Sequence, residues 1–236
     1  MTSQLDLLVI GAHPDDAEIG MGGTIVKHAR AGLRVGVCDL TKAEMSSNGD
    51  VETRSREAAD ASRLLGLAYR SNLGLPDRGL SLAKEHIDAV VREIRRLRPR
   101  VVFAPHWEDR HPDHVMCSRI VQEAVFSAKL RRYLPELPAW TVRETYFYYI
   151  NGVDAPDVLV DISAVQPVKM EALACYRSQF EEPSSEANRV PTPLNQGYLE
   201  RVAARDRLFG QLRSVAYAEG FASRVPLLID RFGMEE

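Results

Sequence analysis

Four times in its first half the chain passes from a short apolar run to a segment whose apolar residues recur at helical spacing. That alternation constrains the fold more than any other feature, because a strand–helix rhythm is the pattern of a parallel sheet with helical crossovers. Leu5 to Ile10 (LDLLVI) reads as a buried strand ending at Gly11. The helical stretch Glu18–Ala31 follows, with Ile19, Ile25, Val26 and Ala29 on one face and Gly32 as its stop. The second strand is Arg34–Leu40, and the second helix runs over about 51–65 to Gly66. A third strand at Tyr69–Leu73 leads through the turn Leu75-Pro76-Asp77-Arg78-Gly79 into a helix over about 82–97, which Pro99 ends. Val101–Ala104 is a fourth strand, followed by a helix over Asp113–Ala128. The fold class predicted is α/β, a mostly parallel Rossmann-like sheet with helices on both faces. The second half is less regular. It predicts strands at Glu144–Ile150 and Asp157–Ile162, a helix over Ala164–Gln179 and a polar, Pro-rich loop at Glu181–Pro193. A helix over Leu199–Leu212 and a last strand at Pro226–Ile229 complete it. No linker or internal repeat divides the chain, so one domain is expected over residues 1–236.

Composition narrows the function classes. A formal charge of −3 and an isoelectric point near 6.1 give no global attraction for nucleic acid or an anionic membrane. The basic cluster Arg92, Arg95, Arg96, Arg98 and Arg100 is read as a helix end, where cations favour the negative end of the dipole. Three widely separated cysteines, Cys38, Cys117 and Cys175, build neither a disulfide framework nor a metal knuckle. The N-terminus lacks a signal-peptide pattern, and no apolar run approaches the roughly 18 residues of a membrane span. The expectation is a soluble, cytoplasmic protein.

The chemistry gathers in two tetrapeptides. His13-Pro14-Asp15-Asp16 follows the first strand and His111-Pro112-Asp113-His114 follows the strand at Val101–Ala104. Both stand between a strand and a helix, at the carboxyl edge where open α/β sheets bind ligands. Proline is well tolerated at a helix start, and its fixed φ lets the residues around it aim at a common point. His13, Asp16 and His114 then make a three-ligand metal site, and three ligands with an open position are the catalytic form of zinc. Asp15 is left over as a general base, His111 as a charged stabiliser of an oxyanion, and Asp113 as the carboxylate that orients His111.

Each residue has a plainer explanation. Asp and His before a helix often only cap it, but two copies at two strand ends favour a metal centre. His28 and His86 fall within helical patterns, and His106 is explained by packing. Gly20-Met21-Gly22-Gly23 does not match a phosphate loop, and close packing of the first helix on the sheet accounts for it. Two histidines and one carboxylate also form the triad of Fe(II) oxygenases, and a non-catalytic sugar-binding module is a third possibility on the same fold.

The stretches GAHPDDAEIGMGGT and DRHPDH resemble the LmbE/PIG-L superfamily of zinc-dependent N-acetylglucosamine deacetylases. CDLTKAEMSSNG, LGLPDRGL, APHWEDRHPDH, Gln196–Tyr198 and AYAEGF are similar to the bacillithiol-biosynthesis deacetylases, which act on N-acetylglucosaminyl malate. The resemblance implies zinc on His13, Asp16 and His114, Asp15 as general base, and His111 with Asp113 at the tetrahedral intermediate. It further implies Arg54 and Arg110 as substrate contacts, Tyr198 over the oxyanion, and a trimeric or hexameric assembly. The native metal stays open between zinc, iron and other divalent ions. Free N-acetylglucosamine and chitobiose remain alternative substrates. One departure is Thr41-Lys42-Ala43-Glu44, where many members of the superfamily read Gly-Glu after the threonine.

Overall fold

The computed structural model of the chain describes residues 4–182 and 189–228. Its strands are β1 (Leu7–Gly11), β2 (Val35–Thr41), β3 (Tyr69–Leu75), β4 (Val101–Pro105), β5 (Glu144–Tyr148), β6 (Val158–Asp161) and β7 (Ala218–Ala222). The helices are α1 (Asp16–Arg30), α2 (Val51–Leu65), α3 (Lys84–Leu97), α4 (Pro112–Ala128), α5 (Gln166–Ala174), α6 (Arg177–Phe180) and α7 (Tyr198–Gln211). All seven strands join one sheet in the order β3-β2-β1-β4-β5-β7-β6. The first five pair in parallel, and β7 runs antiparallel to both β5 and β6.

Both faces of the sheet are covered, so its central strands read as unbroken apolar runs. Along β1 the side chains alternate between two cores. Leu8 and Ile10 pack with Val90, Val91 and Ile94 of α3 and with Ile120 of α4. Leu7 and Val9 pack on the other side with Ile19 and Ile25 of α1, Ala58 of α2 and Leu173 of α5.

The chain leaves β1 to build β2 and β3 on one side, then returns to place β4 against the other side of β1. This reversal makes the carboxyl ends of β1 and β4 the topological switch point, the crevice where such sheets bind ligands.

The structure departs from the expected elements in three places. The helix predicted over Ala164–Gln179 is two helices, α5 and α6, interrupted at Cys175 and Tyr176. The last strand is Ala218–Ala222; Pro226–Leu228 is not a strand, and Ile229 lies outside the described residues. The apolar run misled because Leu227 and Leu228 are exposed, at 63% and 96%, whereas β7 hides a glutamate and a glycine, both poor strand formers. Of the loop expected at Glu181–Pro193, residues 183–188 lie outside the described residues, and Pro193 opens a short 3-10 turn with Leu194 and Asn195. The glycines of α1 pack closely, as expected: a Cβ on Gly20 would stand 2.1 Å from the Tyr148 ring, and one on Gly23 2.8 Å from Ile162.

Candidate metal centre and active site

The end of β1 is shaped to present His13, Asp15 and Asp16 together. Thr41 at the end of β2 donates from its backbone N and its Oγ1 to the carbonyl of Ala12, both at 2.9 Å. His13 N donates to Asp16 Oδ2 at 2.9 Å, closing a tight turn over Pro14. Asp15 takes φ 115°, a conformation costly for a residue with a side chain. At the end of β4, His111 caps α4: its Nδ1 accepts from the Asp113 N–H at 3.2 Å, and Pro112 takes the first helical position.

These two turns bring the expected trio into contact. Asp16 Oδ1 stands 3.1 Å from His114 Nε2, and Asp16 Oδ2 stands 3.6 Å from His13 Nδ1. Donors about 2.0–2.2 Å from a tetrahedral cation stand about 3.3–3.6 Å from one another, close to the separation of each imidazole nitrogen from its own oxygen of the Asp16 carboxylate. The nitrogens of His13, His111 and His114 also lie within 4.8 Å of one another. Each imidazole that faces Asp16 turns its other nitrogen to a carboxylate. His114 Nδ1 is 2.9 Å from Asp109 Oδ1, while His13 Nε2 is 3.3 Å from Asp77 Oδ1 and 3.6 Å from Asp113 Oδ2. Such carboxylate–imidazole pairs fix the tautomer and ring orientation of a metal ligand. The donor set, two oriented imidazoles and a carboxylate with one oxygen toward each, fits a divalent cation.

Electrostatics divides the remaining roles. Burial raises Asp15 to about 7, opposed by the charge of Arg54. Asp16 is equally buried, yet His114 and His13 hold it well below the carboxylate range. Against burial, Asp16 and Asp109 raise His114 to about 9. His111 is lowered by burial and by the charges of His114 and His13.

Three of the expected residues have surroundings that the sequence did not display. His111 was expected to be charged; burial and the charges of His114 and His13 lower its proton affinity, and its Nδ1 accepts from Asp113 N, so a neutral ring would carry its proton on Nε2. Asp113 does not orient the His111 ring by its carboxylate. That carboxylate accepts from Arg78 N at 2.8 Å and Arg78 Nη1 at 3.1 Å and faces His13. Arg54 is 2% exposed, and its guanidinium is engaged by Asp15 Oδ2 at 3.1 Å, by Ser46 Oγ at 3.2 Å and by the Pro14 carbonyl. It therefore braces Asp15 from the wall of the cavity, with its buried Nε left without a partner among the described residues.

A cavity of about 450 Å³ opens over these groups, walled by Asn48, Arg110, Asn151, Leu194 and Tyr198 among others. Tyr198 donates its hydroxyl to Asn151 Oδ1 at 3.0 Å. Arg110 is exposed on the rim, and no described residue accepts from its guanidinium. His106 stacks between Trp107 and Tyr149, a packing role as expected. Ala43 takes φ 54° in the loop after β2, the left-handed conformation that glycine adopts at less cost.

The sequence reading does not single out Asp77, Asp109 or Asn151. Asp109 accepts from His111 N at 2.8 Å and Asn151 Nδ2 at 2.9 Å as well as facing His114, and Asn151 in turn holds Tyr198. A topological signal for Asp77 was present, since it follows the end of β3 on the same rim.

Comparisons with known proteins give the family. Residues 8–125 match the model of the family described as PIG-L, GlcNAc-PI de-N-acetylase. The diacetylchitobiose deacetylase of Thermococcus kodakarensis is 31% identical over 229 residues, covering 91% of this chain and 81% of that protein. A probable N-acetyl-alpha-D-glucosaminyl L-malate deacetylase 2 of Bacillus subtilis is 30% identical, covering 74% and 83% of the two chains. A conserved protein of Thermus thermophilus superposes with a TM-score of 0.89 at 42% identity, over 98% of this chain and 100% of that one. The chain belongs to the PIG-L family of hydrolytic deacetylases. That membership sets aside the oxygenase and the non-catalytic binding module. No helix among the described residues is long and apolar enough to cross a membrane.

Proposed function

We propose that this deacetylase removes the N-acetyl group of an N-acetylglucosamine conjugate whose aglycone is anionic, with N-acetylglucosaminyl malate, the bacillithiol precursor, as the preferred substrate. The observation that carries the hydrolytic reading is the buried carboxyl of Asp15, raised to about 7, beside the facing donors of His13, Asp16 and His114. The anionic aglycone is supported by Arg110, a rim cation with no acceptor among the described residues, whose planar fork matches a carboxylate.

A divalent cation held by His13, Asp16 and His114 supplies Lewis acidity and lowers the pKa of water to roughly 7. Asp15 accepts the proton of the attacking water. Its ionisation near neutrality lets it act first as base and then as acid, returning that proton to the amine as the carbon–nitrogen bond breaks. His111, neutral, offers Nε2–H to the oxygen on which negative charge develops. Asp77 and Asp113 hold the His13 ring, and Asp109 holds that of His114. The products are acetate and a free amine.

The test is acetate release from N-acetylglucosaminyl malate, diacetylchitobiose and N-acetylglucosamine, with metal content measured on the same sample. The malate conjugate is expected to have the highest kcat/KM. A preference for chitobiose would reassign the substrate to a neutral sugar, and release from none of them sinks the hydrolytic reading. Asp15→Asn should cut turnover about 10²–10⁴-fold while metal remains bound.

A further inference from the structure

Helix α1 is broken at Met21 (φ −150°, ψ 26°). In an unbroken helix the carbonyl of Ile19 would accept from Gly23 N–H, and that of Gly20 from Thr24 N–H. Instead Gly23 N and Thr24 N donate to the two oxygens of Glu219 on β7, at 2.9 Å and 2.6 Å. The freed carbonyl of Ile19 accepts from Arg205 Nη2 of α7 at 2.6 Å. Arg205 Nη1 reaches the other way, to the carbonyls of Tyr149 at 2.8 Å and Ile150 at 2.7 Å. A line of alternating charge keeps this guanidinium in place. Asp206 Oδ1 lies 3.3 Å from Arg205, and Lys169 Nζ joins Asp206 at 2.6 Å to Glu219 at 2.8 Å.

The two ends of this clamp lead to opposite halves of the site. Ile19 N donates to the carbonyl of Asp15 at 2.9 Å, so the Arg205 bond falls on the turn that carries Asp15 and Asp16. Ile150 precedes Asn151, whose backbone N (3.2 Å) and Nδ2 (2.9 Å) hold Asp109, the partner of His114 Nδ1. We infer that Arg205 is a positioning residue, fixing the first turn of α1 to the end of β5 and so setting the gap between the Asp15–Asp16 half and the His114 half of the site. The inference rests on the metal-centre reading. Arginine suits the task because two Nη atoms in a rigid plane serve three carbonyls facing different ways, which one lysine nitrogen cannot do.

The test compares Arg205→Lys and Arg205→Gln with Val90→Ala, a cavity in the opposite core that lowers stability without touching the clamp. Co²⁺ affinity is read by competition with a chromophoric chelator on protein shown by circular dichroism to be folded, and kcat and KM are measured alongside. Both Arg205 variants should lose about 10–100-fold in Co²⁺ affinity, as when the partner of a ligand is removed. Their kcat should fall with KM little changed, while Val90→Ala melts earlier with wild-type affinity. Arg205 variants that melt earlier but keep wild-type affinity and kcat would overturn the inference and leave a structural role alone. A second measurement needs no variant: loading the wild type with Co²⁺ should slow hydrogen exchange at Ile19 and Asn151, and unchanged exchange there overturns the clamp. Co²⁺-loaded wild type that releases no acetate would count against the proposed reaction and not against Arg205, whereas failure to bind Co²⁺ at all overturns both.

Discussion

Asp15 and Asp16 are neighbours in sequence and nearly equal in burial, yet their proton affinities are pushed in opposite directions. The cause is the counter-charge each one meets. Asp16 has an imidazole on either side, whereas Asp15 has one guanidinium and the negative charge of Asp16. Arg54 lowers the Asp15 pKa, so Arg54→Gln removes a positive charge and raises it further. A base must be ionised to work, so the acidic limb of the kcat/KM–pH profile should move to higher pH in Arg54→Gln, with little change on the alkaline side. Asp109 tests a different dependence. Asp109→Ala leaves His114 Nδ1 without its carboxylate, and chelator competition should show metal affinity about 10–100-fold weaker.

At the scale of the element, helix α1 packs at contact distance because three of its positions have no side chain: Gly20 meets Tyr148 of β5, Gly22 meets Lys169 of α5 and Gly23 meets Ile162 just after β6. Gly20→Ala drives a methyl into the Tyr148 ring, whose hydroxyl is tied to the Ile10 carbonyl at 2.9 Å. Overpacking of this kind costs about 1–3 kcal/mol, and denaturant unfolding should show a lower midpoint with the slope unchanged. The sequence displayed this helix and its close packing but not its break, because the groups that take up the freed backbone, Arg205 and Glu219, come from α7 and β7, far along the chain. The same distinction runs through the site. His13, Asp16 and His114 were legible because local chain geometry, a strand end followed by a proline turn, fixes where they point. The lowered proton affinity of His111, the attachment of Asp113 to Arg78 and the enclosure of Arg54 depend on neighbours that only the tertiary structure supplies. Strand β7 was hidden for a related reason. Glu219 is 1% exposed, tolerated there only because Lys169 and two backbone N–H groups meet it.

Across the whole molecule, the centre joins parts of the chain that meet only at the switch point between β1 and β4. A cation bound there lowers the free energy of the folded state and not that of the unfolded chain. At a free metal concentration 100 times Kd this amounts to about 2.7 kcal/mol. For a chain of this size that is roughly 5–10 °C in Tm. Scanning calorimetry before and after chelation should show the loss, and adding back Zn²⁺ or Co²⁺ should restore it. A Tm insensitive to both treatments would contradict a centre built from both halves of the chain.

The order β5-β7-β6 also bears on how the protein is made. A nascent chain that has emerged as far as Asp161 holds six of the seven strands, but the sixth has no neighbour to pair with until Ala218–Ala222 arrives between it and β5. The ribosome must therefore deliver α5, α6 and α7 while one edge of the sheet stands open. Because Glu219 travels on that late strand, Gly23 and Thr24 also wait for it, and the first helix reaches its final form only after β7 has been made.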